Sequence, residues 1–230
     1  MAISKDKCDL ERCYFCKLCL KDWLPAVSAH RSNFRFKKGE TIFKEGEEVK
    51  GIYFVYSGKV KVHKKWNGDK ELILRFADAG AILGHRGLGG DHFYPVSATA
   101  LEPVMVCYME LDFFKTSLKV NPELTLSLLD FFAQELKESE KRMRNMAHMS
   151  VKGRLAYALL LLKDKFGLTP KGELNISISR QDIASYVGAT YETVFRTLSE
   201  LANEHIISLS GKNISLLNEK TLVSLSTSTD

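Results

Sequence analysis

Four of the chain's five cysteines fall within one short run, CDLERCYFCKLC: Cys8, Cys13, Cys16 and Cys19, with Cys107 far downstream. Thiolates separated by two residues can share one metal, and four sulfurs suit either an iron–sulfur cluster or tetrahedral zinc. The bland alternative is a set of reduced thiols, with Cys107 buried as a small hydrophobe. A second chemical group lies in SRQDIASYVGATYETVFRTLSEL. Arg196 can donate bidentately to guanine O6 and N7, and Glu192 can accept from cytosine N4. Tyr191 and Phe195 can touch a thymine methyl or the sugar-phosphate backbone. The same Glu and Arg, one helical turn apart, could instead make a surface ion pair of a few tenths of a kcal/mol.

Both groups need elements to hold them. The chain has 230 residues, 45% of them hydrophobic, enough for one large or two modest cores. Its net charge of +5 permits an acidic partner without requiring one. The N-terminus is polar, and the longest apolar run, LAYALLLL, stops at Lys163, far short of the roughly 18 residues that span a bilayer. A cytoplasmic protein with no membrane partner is expected. In a reducing compartment, clustered cysteines serve metal or redox chemistry more often than disulfides.

From about Ser32 to Met109 the texture is β: short apolar runs with Gly at the corners, Val60 and Val62 alternating with lysines, and Asn67-Gly68 as a hairpin signal. Asn121-Pro122 then opens a long helix. Leu129, Phe132, Leu136, Ser139, Met143, Met146 and Ser150 follow a 3,4 repeat between charged flanks, a pattern that suits a dimeric coiled coil or a surface helix packed on its own domain. Beyond Met149, RLAYALLLLKDKFG reads as a helix closed by Gly167, GELNISIS as a strand, and IISLSGKNISLL as a hairpin turning at Gly211-Lys212-Asn213. Between them, Ser179 with Asp182 makes a capping-box pattern, Gly188 permits a turn, and Thr190 can cap a second helix. Ile183, Ala184, Val187, Val194, Leu198 and Leu201 would face inward. Helix, turn, helix and hairpin outline a winged helix-turn-helix, whose second helix enters a major groove. Ser179, Arg180, Thr190, Tyr191, Glu192, Thr193, Phe195, Arg196 and Lys212 are the candidate DNA-contacting residues.

The fold class expected is α+β: an N-terminal β-jelly-roll, a long dimerisation helix and a C-terminal winged helix-turn-helix. The expected divisions are a cysteine-rich arm (1–21), a β-roll effector domain (22–120), the helix (121–150) and the DNA-binding domain (151–230). In this order the elements resemble the CRP/FNR transcription regulators over nearly the whole chain. ETVFRTLSEL is similar to the family's E-[ST]-[IV]-x-R recognition motif, and IYFVYSGKVKV and LEPVMVCYM resemble its roll signatures. The resemblance implies a homodimer on a palindromic double-stranded DNA site, with Glu192 and Arg196 reading bases and RNA polymerase as a partner. Tyr191 stands where the cAMP-receptor branch has Arg, which leans toward an FNR-like TTGAT-type half-site.

The family's cyclic-nucleotide binders use a Gly-Glu segment for the ribose and an Arg-Ser/Thr-Ala segment for the phosphate. Here His85 stands for the Glu and Val96 for the Arg, so a buried phosphate would lack its charge partner and cAMP is not the expected effector. Gly84, His85, Arg86, Ser97, Ala98 and Thr99 are the candidate pocket for another small effector. FNR-type members ligate an oxygen-labile [4Fe–4S] cluster with three N-terminal cysteines and one from the roll, and Cys107 lies where that one lies. The spacing C-x4-C-x2-C-x2-C departs from the FNR pattern. Three readings stay open: a cluster on some of Cys8, Cys13, Cys16 and Cys19 together with Cys107, a zinc or dithiol arm, or plain thiols. Cluster assembly would anchor the arm beside the long helix and alter dimer geometry. A sensing module acting through protein partners is the rival reading. An enzyme has no nucleophile–base pair, metal triad or H-x-H pair to support it.

Overall fold

The computed structural model describes residues 2–3, 13–66 and 70–227, which form two units, 1–134 and 135–230. Cys8 and the Asn67-Gly68 turn lie outside the described residues.

Unit 1 contains β1 (Ala2–Ile3), α1 (Leu24–His30), β2 (Arg31–Phe36), β3 (Thr41–Phe43), β4 (Gly51–Ser57), β5 (Val60–Lys65), β6 (Glu71–Ala77), β7 (Ile82–Leu83), β8 (Ser97–Ala100), β9 (Val104–Glu110), α2 (Leu111–Val120) and the start of α3 (Pro122–His148). The strands build two antiparallel sheets, of order β1-β2-β9-β4-β7 and β3-β8-β5-β6. Alternation explains why IYFVY is apolar throughout. Tyr53 and Val55 of β4, with Val104 and Val106 of β9, point into the roll against Val60, Val62 and Ala98. Ile52, Phe54, Cys107 and Met109 point the other way, into a second core shared with Phe114 of α2 and Leu124 and Leu128 of α3. The larger sheet is buried on both faces, and Cys107 is on the helical side.

A bulge between Val62 and His63 of β5 breaks the alternation and buries His63. Its Nε2 lies 2.9 Å from Thr99 Oγ1 and its Nδ1 2.9 Å from Glu71 Oε2, with Lys61 also on Glu71. The His63 hydrogen bond, aided by Lys61 and opposed by burial, holds the Glu71 carboxyl down from 4.5 to about 2. Because the folded value is depressed, the stabilisation is complete above pH 4.5 and disappears as pH falls through about 2. Glu71→Gln is therefore expected to flatten the acid limb of the stability curve in that window. Urea unfolding at pH 5, 4 and 3 (roughly the span of the window) checks it.

The long helix ends sooner than expected. Ser150 is the N-cap of the next helix, accepting from Gly153 N–H at 3.1 Å, so it is not a seam position. The 3,4 repeat divides into exposed and packed positions. Leu129, Leu136 and Met143 are 64%, 61% and 61% exposed. Phe132 instead packs its ring on His85, and Met146 lies against Gly188. The exposed row runs through Leu126, Leu129, Ala133, Leu136 and Met143. Two of the apolar positions assigned to the seam are anchors to the helix's own units.

Unit 2 continues with α4 (Val151–Phe166), α5 (Arg180–Val187), α6 (Tyr191–Asn203), β10 (Ile207–Ser210), β11 (Asn213–Leu216) and α7 (Glu219–Thr227). The expected GELNISIS strand is an extended segment with single bridges, Leu174 N–H bonding Ile214 O, while Leu174, Ile176 and Ile178 alternate into the core. The hairpin turn is Gly211-Lys212, since Asn213 already pairs with Ser210. The closing helix α7 was not expected. Leu222 is fully buried, and a Cβ at Gly153 would stand 3.0 Å from Leu225 O, so glycine permits α7 to approach α4.

The capping box is realised in full. Ser179 Oγ accepts from Asp182 N–H at 3.0 Å, and Asp182 Oδ2 accepts from Ser179 N–H at 3.2 Å. Ser179→Ala is expected to cost roughly 0.5–2 kcal/mol, seen as a lower melting temperature that Ser179→Asn restores.

Candidate functional site

Gly188 ends α5 in the left-handed conformation, φ +72°, and Thr190 caps α6, its Oγ1 accepting from Thr193 N–H at 3.2 Å. Val194, Thr197, Leu198 and Leu201 are buried, which turns Tyr191, Glu192, Phe195 and Arg196 outward on the first turn and a half. Arg196 is 75% exposed and its nearest acid is Glu200, at a loose 3.8 Å, rather than Glu192. Its guanidinium remains available to a partner. The Tyr191 and Phe195 rings stack at 6.0 Å, inclined 19°.

The other predicted residues divide by role. Ser179 and Thr190 are occupied as caps, and Thr193 is half-buried beside Thr190. Arg180 donates from Nη2 to Gly211 O at 3.0 Å and so ties the start of α5 to the hairpin turn. Burial lowers the Arg180 pKa, and Tyr191 of α6 opposes that shift. Lys212 stands exposed at the turn. The arrangement presents a helix N-terminus, two arginines, a lysine and a stacked aromatic pair, a set suited to an anionic, base-bearing surface.

Within unit 1, Cys13, Cys16 and Cys107 are buried in one cluster with Phe15, Phe54, Met109 and Phe114, and half-buried Cys19 packs at its edge. A 3-10 turn, Cys16–Leu18, gathers the arm thiols: Lys17 N–H bonds Cys13 O, and Cys19 N–H bonds Phe15 O. Burial, then the neighbouring Cys13, pushes the Cys19 thiol up to about 12. Among the described residues, no three His, Cys, Asp or Glu side chains form a group that could hold a metal ion. The donor set is nonetheless the right kind: soft sulfurs in an apolar shell. Their ionisation there requires a cation close to the sulfurs.

Sequence reasoning missed how the arm is held. Leu20 N–H donates to Asn121 Oδ1 at 2.7 Å, Asn121 Nδ2 to Ser117 O at 2.7 Å, and Trp23 Nε1 to Ser117 Oγ at 3.0 Å. Tyr14 OH lies 3.2 Å from Ser127 Oγ. Asn121 and Ser117 are fully buried polar residues at the end of α2, where they bond the helix backbone as well as the arm.

The six pocket candidates lie on different sheets. Gly84, His85 and Arg86 follow β7, where His85 is buried edge-on between Phe131 and Phe132 of α3. Ala98 faces the roll core, while Ser97 Oγ accepts from Glu45 N–H and Thr99 meets His63. The glycines here answer to packing: a Cβ on Gly84 would be 3.0 Å from the Tyr94 ring, and on Gly87 2.4 Å from Val49 Cγ2. Tyr94 is buried, stacked on Phe43 at 4.2 Å and bonded to Gly51 O at 2.7 Å. Among the described residues, no helix is long and apolar enough to cross a membrane.

Residues 33–121 match the family described as cyclic nucleotide-binding domain, and residues 153–225 the Crp-like helix-turn-helix domain. The fumarate and nitrate reduction regulatory protein of Vibrio cholerae is 30% identical over 192 residues, covering 82% of this chain and 76% of that relative. The cAMP-activated global transcriptional regulator CRP of Salmonella typhimurium is 31% identical over 191 residues, 81% of this chain and 90% of its own. Among solved structures, FixK2 from Bradyrhizobium japonicum superposes with a TM-score of 0.76 at 26% identity, covering 87% of this chain and 99% of that one.

Proposed function

Because the chain belongs to the CRP/FNR family of DNA-binding transcription regulators, we propose that it works as a homodimer on an inverted-repeat DNA site and takes its signal through the cysteine arm. The observation that carries the DNA reading is the exposed start of α6, where Glu192 and Arg196 share one face without pairing to each other. The exposed apolar row of α3 supports self-association, since water-facing leucines one heptad apart are stabilised by a second copy. Two recognition helices then address half-sites one helical turn apart. An FNR-like TTGAT-type half-site fits Tyr191 at the position that is Arg in the cAMP-receptor branch. RNA polymerase is the expected protein partner on family grounds.

An iron–sulfur cluster on some of the arm cysteines together with Cys107 would supply a centre sensitive to oxygen or nitric oxide. Cys13, Cys16 and Cys19 share a core with Cys107, and the arm would have to draw these thiols together to form the ligand group. The chain's own part is mechanical. Leu20, Trp23 and Tyr14 carry the state of the arm to Asn121, Ser117 and Ser127, and α3 is continuous from there into unit 2. cAMP is not the effector proposed, and Tyr94 packed against Gly84 argues for an aromatic filling of the roll.

The test is protein purified without oxygen, with iron, sulfide and zinc counted and mobility shifts run on an inverted TTGAT-type duplex before and after air. About four irons per chain and specific binding that changes on exposure to air are expected. Zinc without iron, or metal-free protein whose binding ignores air, removes the iron–sulfur sensing half. Absence of specific binding in both states removes the regulator.

A further inference from the structure

We propose that Phe195, propped by Tyr191, reads thymine C5 methyl groups in the major groove beside the base pair addressed by Glu192 and Arg196. The inference rests on the DNA-binding reading above and deepens it. Four residues on the outer face of α6 form two parallel rows, each one turn long: a charged row, Glu192 and Arg196, and an aromatic row, Tyr191 and Phe195. Adjacent residues on a helix are rotated about 100°, so the aromatic row lies against the charged one and meets the neighbouring base step.

The aromatic row is an anomaly unless something covers it. Phe195 is 53% and Tyr191 41% exposed, whereas Val194, Leu198 and Leu201 of the same helix are fully buried. Exposed apolar surface rimmed by polar groups marks a contact site. The rim here is Arg196, Arg180, Lys212 and the Thr190-capped helix N-terminus, which favours a polyanion over an apolar protein partner. The one apolar feature that duplex DNA offers in its major groove is the thymine methyl, and aromatic contact with it is a recognised form of base readout. The near-parallel stack, 6.0 Å at 19°, fixes the Phe195 ring before DNA arrives. Contact then orders little that was free. Tyr191 is a positioning residue in this arrangement.

The experiment uses the full chain and an inverted TTGAT-type duplex in which each thymine in turn is replaced by deoxyuridine, which lacks only the methyl. One thymine in each half-site is expected to lose about four-fold in affinity, the worth of one buried methyl, and both together on the order of ten- to twenty-fold. Phe195→Ala is expected to bind thymine and deoxyuridine duplexes alike, with an unchanged melting temperature because the buried face of α6 is untouched. Tyr191→Ala should reduce the methyl sensitivity without abolishing it. Wild-type protein indifferent to every replacement, while Arg196→Ala still destroys sequence preference, overturns the methyl contact and leaves the DNA reading standing. Sensitivity that persists in Phe195→Ala also overturns it. A wild type with no sequence preference at all removes both.

Discussion

Arg196→Ala is expected to lose sequence-specific DNA binding while keeping its fold and its general affinity for DNA. A bidentate arginine–guanine contact is worth about 1–3 kcal/mol of discrimination, and the proposed dimer would lose it at both half-sites. The competing structural role is small. Arg196 is three-quarters exposed and, among the described residues, its near acid is Glu200 at 3.8 Å, a pair that contributes a few tenths of a kcal/mol at most. Lys212 and the capped N-terminus of α6, which would meet phosphates, are untouched by this change, so non-specific binding should persist and remain sensitive to salt. Competition mobility shifts with specific and scrambled duplexes, beside a thermal melt, separate the outcomes. Equal loss on both duplexes would make Arg196 a phosphate contact.

Phe15→Ala carries the second large effect. The ring is fully buried, 5.4 Å from Phe54 and 5.9 Å from Phe114, and anchors the arm to the core that holds Cys107. Emptying such a site costs about 3–5 kcal/mol, a large part of a typical domain's total stability. The arm is peripheral to the two sheets, so it is expected to detach before the roll unfolds. Cys13, Cys16 and Cys107 should then react with a maleimide under conditions where they are protected in the wild type. Phe15→Leu should recover much of the protection. Unchanged thiol protection in Phe15→Ala would mean that Asn121, Ser117 and Ser127 hold the arm without it.

The parts of the fold legible in sequence were those with a local cause. A Ser179–Asp182 capping box, a left-handed Gly188 and a Thr190 cap each act within four residues, and all three stand as the spacing implied. The inward face of α6 followed from helical period alone. What escaped depended on partners distant in the chain. Phe132 fits the 3,4 repeat by spacing, but its ring packs on His85, a residue distant in the chain. Asn121 stands at a helix boundary as its place before Pro122 implies, while the sharing of its amide between Leu20 and Ser117 has no local signal. His63 broke a strand's alternation because a bulge turned it toward Glu71 and Thr99. The closing helix α7 has a weak apolar stripe of its own, and only α4, relieved of a side chain at Gly153, gives Leu222 a place to be buried. The outward residues of α6 were legible in kind, but not the stacking of Tyr191 on Phe195 or the freedom of Arg196 from Glu192.

The central claim, a dimer that reads an inverted repeat through α6, is tested most directly by letting the full chain select from a pool of random duplexes. The mass of the recovered complex should be measured alongside. Two inverted half-sites with centres about 10 base pairs apart, bound by two chains, is the predicted result. No enriched sequence, or a lone half-site bound by a single chain, would contradict it.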